Sequence, residues 1–144
     1  MPASHSCRLR KGRSSSPGYC YLITMVTASR RPVFHDHRHA ASASRQFYAP
    51  AVVQHGDTLC YVVMPDHVHW LVQLKGDLSL LVRIYKSRVS IAVGRPIWQP
   101  GFHDHALRHE EELKAMARYV VANPLRAGLV SHITDYPYWN AVWL

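Results

Sequence analysis

Apolar runs and their periods organise this chain. Residues 19–27 (YCYLITMVT) are β-branched and aromatic almost throughout, the composition of a buried strand. Residues 58–64 (TLCYVVM) and 67–74 (HVHWLVQL) repeat that character on either side of Pro65-Asp66, which predicts a hairpin. His55-Gly56-Asp57 ahead of it reads as a turn. From Leu78 the period changes. Leu78, Leu81, Val82, Tyr85, Val89 and Val93 fall on one face at about 100° per residue, with Arg83, Lys86 and Arg88 off it. Asp77 is placed to cap this helix, and Gly94 and Pro96 to end it.

The remaining segments carry weaker patterns. Residues 36–49 (DHRHAASASRQFYA) are Ala-rich with a faint helical period. Residues 97–107 (IWQPGFHDHAL) predict a strand or hairpin interrupted by Pro100-Gly101. A last helix is expected from about His109 to Asn123, with Leu113, Met116, Ala117, Val120 and Val121 as its apolar stripe. Glu110, Glu111 and Glu112 suit the positive end of its dipole. Pro124 disfavours helical geometry at Asn123 and stops the helix there. The tail, 125–144, ends in Tyr136, Tyr138, Trp139 and Trp143. The order β, α, β, β, α, β, α fits an α+β fold, a ferredoxin-like split βαβ antiparallel sheet with helices on one face. The other face is expected to be open.

Length and composition narrow the function. The 144 residues suit one domain over 19–144, preceded by a basic, flexible arm over 1–18. A hydrophobic fraction of 48% excludes global disorder. No apolar stretch is long enough to span a membrane and no secretory h-region opens the chain, so a cytoplasmic protein with no membrane partner is expected. Three cysteines without CxxC spacing argue against a disulfide framework and a cysteine-bound zinc. Seventeen Lys and Arg against nine Asp and Glu give a net charge of +8, which favours a polyanionic partner. Arg8, Arg10, Lys11 and Arg13 in the arm, with Arg30, Arg31 and Lys86, are the candidate DNA-phosphate contacts.

Candidate chemistry begins in strand 67–74. Alternation puts Val68, Trp70, Val72 and Leu74 on one face, under helices, and His67, His69, Leu71 and Gln73 on the other. Two imidazoles two residues apart can converge on one metal ion, or can simply be a half-exposed surface pair. On the last helix Tyr119 and Asn123 stand at i and i+4, so they share a face. Tyr119 flanks the apolar stripe, where a packed tyrosine with a hydrated hydroxyl is also common. His103-Asp104-His105 reads more readily as a polar strand edge than as a second metal site. His35, His37 and His39 read as a solvated helix face, and the terminal aromatic residues as core packing rather than base-stacking platforms.

Together MPDHVHWLV and ARYVVANPLRAGLV resemble the single-tyrosine HUH nucleases, in which two histidines flank a bulky hydrophobic residue, here Val68. More narrowly they resemble the REP-associated tyrosine transposases, as do WQPGFHDHALR and DYPYWNAVWL. The resemblance covers about residues 19–144. Only GRPI, before Trp98, is short for that family. It implies an HUH-type fold and metal-dependent cleavage and rejoining of single-stranded DNA, at hairpins formed by palindromic repeats. Tyr119 would be the nucleophile, and His67, His69 and Asn123 the ligands of Mg²⁺ or Mn²⁺. The product would be a 5′-phosphotyrosine and a free 3′-hydroxyl, whose stored bond energy permits rejoining without ATP. A monomer is expected, although relatives include dimers that share active sites between chains. Two readings compete: a non-catalytic nucleic-acid-binding ferredoxin-like domain, and a zinc hydrolase using His67, His69, His103 and His105. The histidines on the expected open face, in place of stacking aromatics, and the lack of a K/R-G-F/Y-G-F motif disfavour the binder.

Overall fold

The computed structural model of the chain describes residues 18–107 and 109–143. The β-branched run forms β1 (Cys20–Val26), and the two later runs form the expected hairpin, β2 (Gly56–Val63) and β3 (His67–Leu74). β4 (His103–Ala106) follows Pro100-Gly101, while Trp98 makes only an isolated bridge to Thr27. The sheet order is β4-β1-β3-β2-β5, antiparallel at every junction. Its first four strands have the ferredoxin-like order. The fifth, β5 (Trp139–Ala141), pairs with β2 and is the part of the aromatic tail that the periodicity did not show.

Two helices cover one face. Asp36 caps α1 (His37–Gln46) by accepting a hydrogen bond from the Arg38 N–H at 2.9 Å. Asp77 caps α3 (Leu78–Val93) through the Leu80 N–H at 2.8 Å. Gly94 closes α3 at φ 95°, a left-handed conformation that glycine adopts without strain. Leu78, Leu81, Val82, Tyr85 and Val89 are buried as the helical period requires. They meet Val68, Trp70, Val72 and Leu74 of β3. Phe47, just after α1, stacks between Tyr61 and Tyr85, its ring centroid 4.4 Å from each. The one-turn helix α2 (Pro50–Val53) leads into β2.

The second face is not bare, and this corrects the one-sided arrangement. α4 (Glu110–Val121) lies across it over β2, β3 and β5. Leu113, Ala117 and Val120 are buried there against Cys20, Leu59, Cys60, Val62 and Leu71. The physical reason is in β2: Leu59 to Met64 are all buried, and a continuous apolar run belongs to a strand covered on both sides. Cys60 is a free, buried thiol. Pro124 does not end helical structure either. α4 stops at Val121, and a short α5 (Asn123–Arg126) restarts with the proline in its first turn, where the missing N–H costs nothing. Among the described residues, no helix is long and apolar enough to cross a membrane.

Candidate active site

The β2–β3 turn is anchored before it presents any chemistry. The Thr27 N–H donates to the Asp66 carbonyl at 3.0 Å, and the Phe34 N–H donates to the Pro65 carbonyl at 3.0 Å; the single Thr27 hydroxyl proton lies between the Arg31 carbonyl at 2.7 Å and the Asp66 carbonyl at 3.0 Å. The next residue, His67, therefore emerges from a fixed point. His67 and His69 share one face by strand alternation, and their ring centroids lie 4.8 Å apart at 78°.

Each imidazole is held through Nδ1. His67 Nδ1 donates to Asp66 Oδ1 at 2.7 Å, and Arg30 bonds the other carboxylate oxygen at 3.3 Å. Burial pushes the Asp66 carboxyl up, but the hydrogen bonds and charges of His67 and Arg30 outweigh it and hold the group below the usual carboxylate range. His69 Nδ1 lies 2.9 Å from Thr24 Oγ1. Thr24 is the residue directly across from His69 on β1, the closest cross-strand neighbour a sheet offers. His69 is only 8% exposed. Burial first, then the charges of His67 and Arg126, push its ring down to about 4. It is therefore a neutral imidazole at neutral pH, the form that ligates a metal. With both Nδ1 atoms engaged, the two Nε2 atoms are the ones left for a ligand.

Tyr119 reaches this pair from α4. Its ring stands 5.8 Å from the His69 ring, edge to face at 68°, and the residue is 45% exposed. Asn123 lies at the start of α5, where its amide nitrogen donates to the Tyr119 and Val120 carbonyls at 3.2 and 3.4 Å. Those bonds use the NH₂ group and leave the amide oxygen as the donor atom for a cation. Arg126 lies over the Tyr119 ring, its guanidinium carbon 4.1 Å from the ring centroid.

The remaining candidates fall elsewhere. Arg30 is committed to Asp66, and Arg31 is exposed on the adjoining turn. The Lys86 ammonium is taken by the carbonyls of Gln99 and Gly101 beside Trp98. Arg8, Arg10, Lys11 and Arg13 lie outside the described residues. His105 is exposed at a sheet edge, 3.4 Å from Glu112. His103, on β4, pairs with Thr24 of β1 and so lies two strands and roughly 10 Å from His69. Among the described residues, no three His, Cys, Asp or Glu side chains gather as a metal cage, so the four-histidine zinc arrangement is absent. His35 and His37 are exposed, while His39 is partly tucked against the Val33 carbonyl. The tail aromatics largely pack: Tyr136 donates to the Val63 carbonyl at 2.6 Å, and burial pushes its phenol up to about 12.

Sequence reasoning passed over Thr24, Asp66 and Arg126. The aspartate had a visible signal, an acid immediately before the first histidine. Thr24 needed the strand register, and Arg126 needed the restart of the helix after Pro124.

No family model matches the sequence. The chain is 33% identical over 82 residues to a REP-associated tyrosine transposase of Escherichia coli (strain K12), across 54% of this chain and 50% of that protein. It is 27% identical over 100 residues to a Haemophilus influenzae protein provisionally given the same name, across 57% of each. The chain spans about half the length of the curated relatives it matches. A solved REP-associated tyrosine transposase bound to a REP hairpin shares the fold, with a TM-score of 0.72 at 24% identity. That match covers 92% of this chain and 82% of the other. In sequence over about half its length, and in fold over nearly all of it, this chain is similar to the REP-associated tyrosine transposases.

Proposed function

We propose that this chain is a metal-dependent single-stranded DNA endonuclease and strand transferase of the transposase kind, acting on hairpins of repetitive palindromic DNA. One observation carries the proposal: a half-exposed phenol, Tyr119, stands against the second of two paired imidazoles. The similar proteins are named as tyrosine transposases, and the solved one is bound to a REP hairpin.

His67, His69 and the Asn123 amide oxygen would hold Mg²⁺ or Mn²⁺. When bound, the cation supplies Lewis acidity to a phosphate oxygen. The donors fit that role, because each imidazole is oriented through Nδ1 as metal-binding histidines are. Asp66 fixes the tautomer of His67, and Thr24 fixes the ring of His69. No carboxylate enters the ligand set, so a bound ion keeps most of its charge for the DNA.

Tyr119 Oη attacks phosphorus. The new O–P bond replaces the bond to the 3′-oxygen, which leaves and takes up a proton while the phenol loses one. The products are a 5′-phosphotyrosine and a 3′-hydroxyl, and the reverse step with another 3′-end completes strand transfer. Tyr119 meets His69 within one chain, which supports a monomer. The rival reading, a non-catalytic domain that holds nucleic acid on a bare sheet, finds less support because α4 covers most of the face it requires. Incubation with Mn²⁺ and a hairpin-bearing single strand is expected to give a denaturation-resistant protein–DNA adduct. Tyr119→Phe should abolish that adduct with little loss of binding; an adduct of undiminished yield would refute the assignment.

A further inference from the structure

Arg126 occupies a position that a purely structural arginine does not need. It ends α5, seven residues beyond Tyr119, and the helix restart after Val121 brings it back over the tyrosine. One guanidinium N–H donates to the Tyr119 carbonyl at 2.8 Å, and the guanidinium carbon lies over the Tyr119 ring, 4.1 Å from its centroid. Among the described residues, no carboxylate pairs with it. The residue is exposed. A bond to a late helix carbonyl is an ordinary use of arginine. Here it engages one of five donors and leaves a planar fork facing solvent beside the phenol.

We propose that Arg126 binds a non-bridging oxygen of the DNA phosphodiester that Tyr119 attacks, so that one side chain both steadies the phenol ring and seats the phosphate. The inference rests on the reading of Tyr119 as the nucleophile. The chemistry suits it: guanidinium forks match phosphate oxygens in pairs, and the stack on Tyr119 fixes the distance between phosphate and phenol before DNA arrives.

The test separates phosphate binding from cleavage by working in Tyr119→Phe protein, which keeps the aromatic stack and cannot form an adduct. Binding of a hairpin-bearing single strand is measured across a range of salt concentrations. Arg126→Gln is expected to weaken binding about tenfold, the worth of a charged hydrogen bond. It should also flatten the log–log salt slope by about 0.7, the share of one single-strand phosphate. Arg126→Lys, which keeps the charge, should restore the slope. An unchanged slope and affinity in folded Arg126→Gln would overturn the proposal. So would a slope that stays flattened in Arg126→Lys, since that marks a structural role. Absence of an adduct in protein that retains Tyr119 strikes the parent reading instead, and the salt slopes are judged apart from it.

Discussion

Asp66 shows how much one side chain does at this site. It sits in an anchored turn, takes the His67 Nδ1 proton and is itself held by Arg30. Asp66→Asn keeps the shape and loses the charge, so Mn²⁺ affinity followed by electron paramagnetic resonance is expected to fall about 10- to 100-fold. Unchanged affinity would remove Asp66 from the account. Cys60 makes a contrasting case. Burial raises its thiol from 9.0 to about 12, so it stays protonated and unreactive at pH 8. Iodoacetamide should leave Cys60 unlabelled in native protein and label it fully in denaturant, as read by peptide mass spectrometry. The sign of the pH dependence follows. Its contribution to stability is complete below pH 9 and is lost as pH climbs toward 12. Rapid native labelling would show that the α4 face is open. Alternation and helical spacing assigned the faces of the two histidines and the tyrosine, whereas their joint role rested on the resemblance carried by MPDHVHWLV and ARYVVANPLRAGLV. Thr24 and Arg126 were not legible, because what they touch is set by strand register and by a helix restart.

At the scale of elements, the strongly periodic segments were readable and the compound ones were not. The hairpin, α3 and both ends of α3 follow from alternation, from one apolar stripe, and from Asp77 and Gly94. The placement of α4 did not follow, because the polar histidines of β3 made the second face look bare while β2 was silently apolar on both sides. A single strand's pattern describes its own face; cover is decided by all the strands together. α4 carries Tyr119 to His69, and the proposed function depends on that placement. Its hold on the sheet is Leu113, Ala117 and Val120. Leu113→Ala should destabilise the fold by about 2 to 5 kcal/mol in urea unfolding. A loss below about 0.5 kcal/mol, the range of ordinary surface substitutions, would show that α4 does not rest there.

Taken as a whole, the molecule combines a two-sided sheet with a basic exterior. The net charge is +8, and residues 78–103 hold Arg83, Lys86, Arg88 and Arg95 without one Asp or Glu. Such a surface favours a polyanion and makes its binding salt-dependent; in the proposed function the paired imidazoles and the phenol act on it. The overall class and the first four strands were legible in the order of elements. β5 was hidden because its three residues, Trp139–Ala141, gain strand character only by pairing with β2. The central claim is that Tyr119 and the two histidines form one catalytic centre. Its most direct test is peptide mapping of the covalent product formed with Mn²⁺ and a hairpin-bearing strand labelled on the 3′ side of the cleaved bond. The account predicts a 5′-phosphate nucleotide joined to the Tyr119 peptide, and none when His67 is changed to Ala. Label on any other residue, or an adduct that forms equally well without His67, would contradict it.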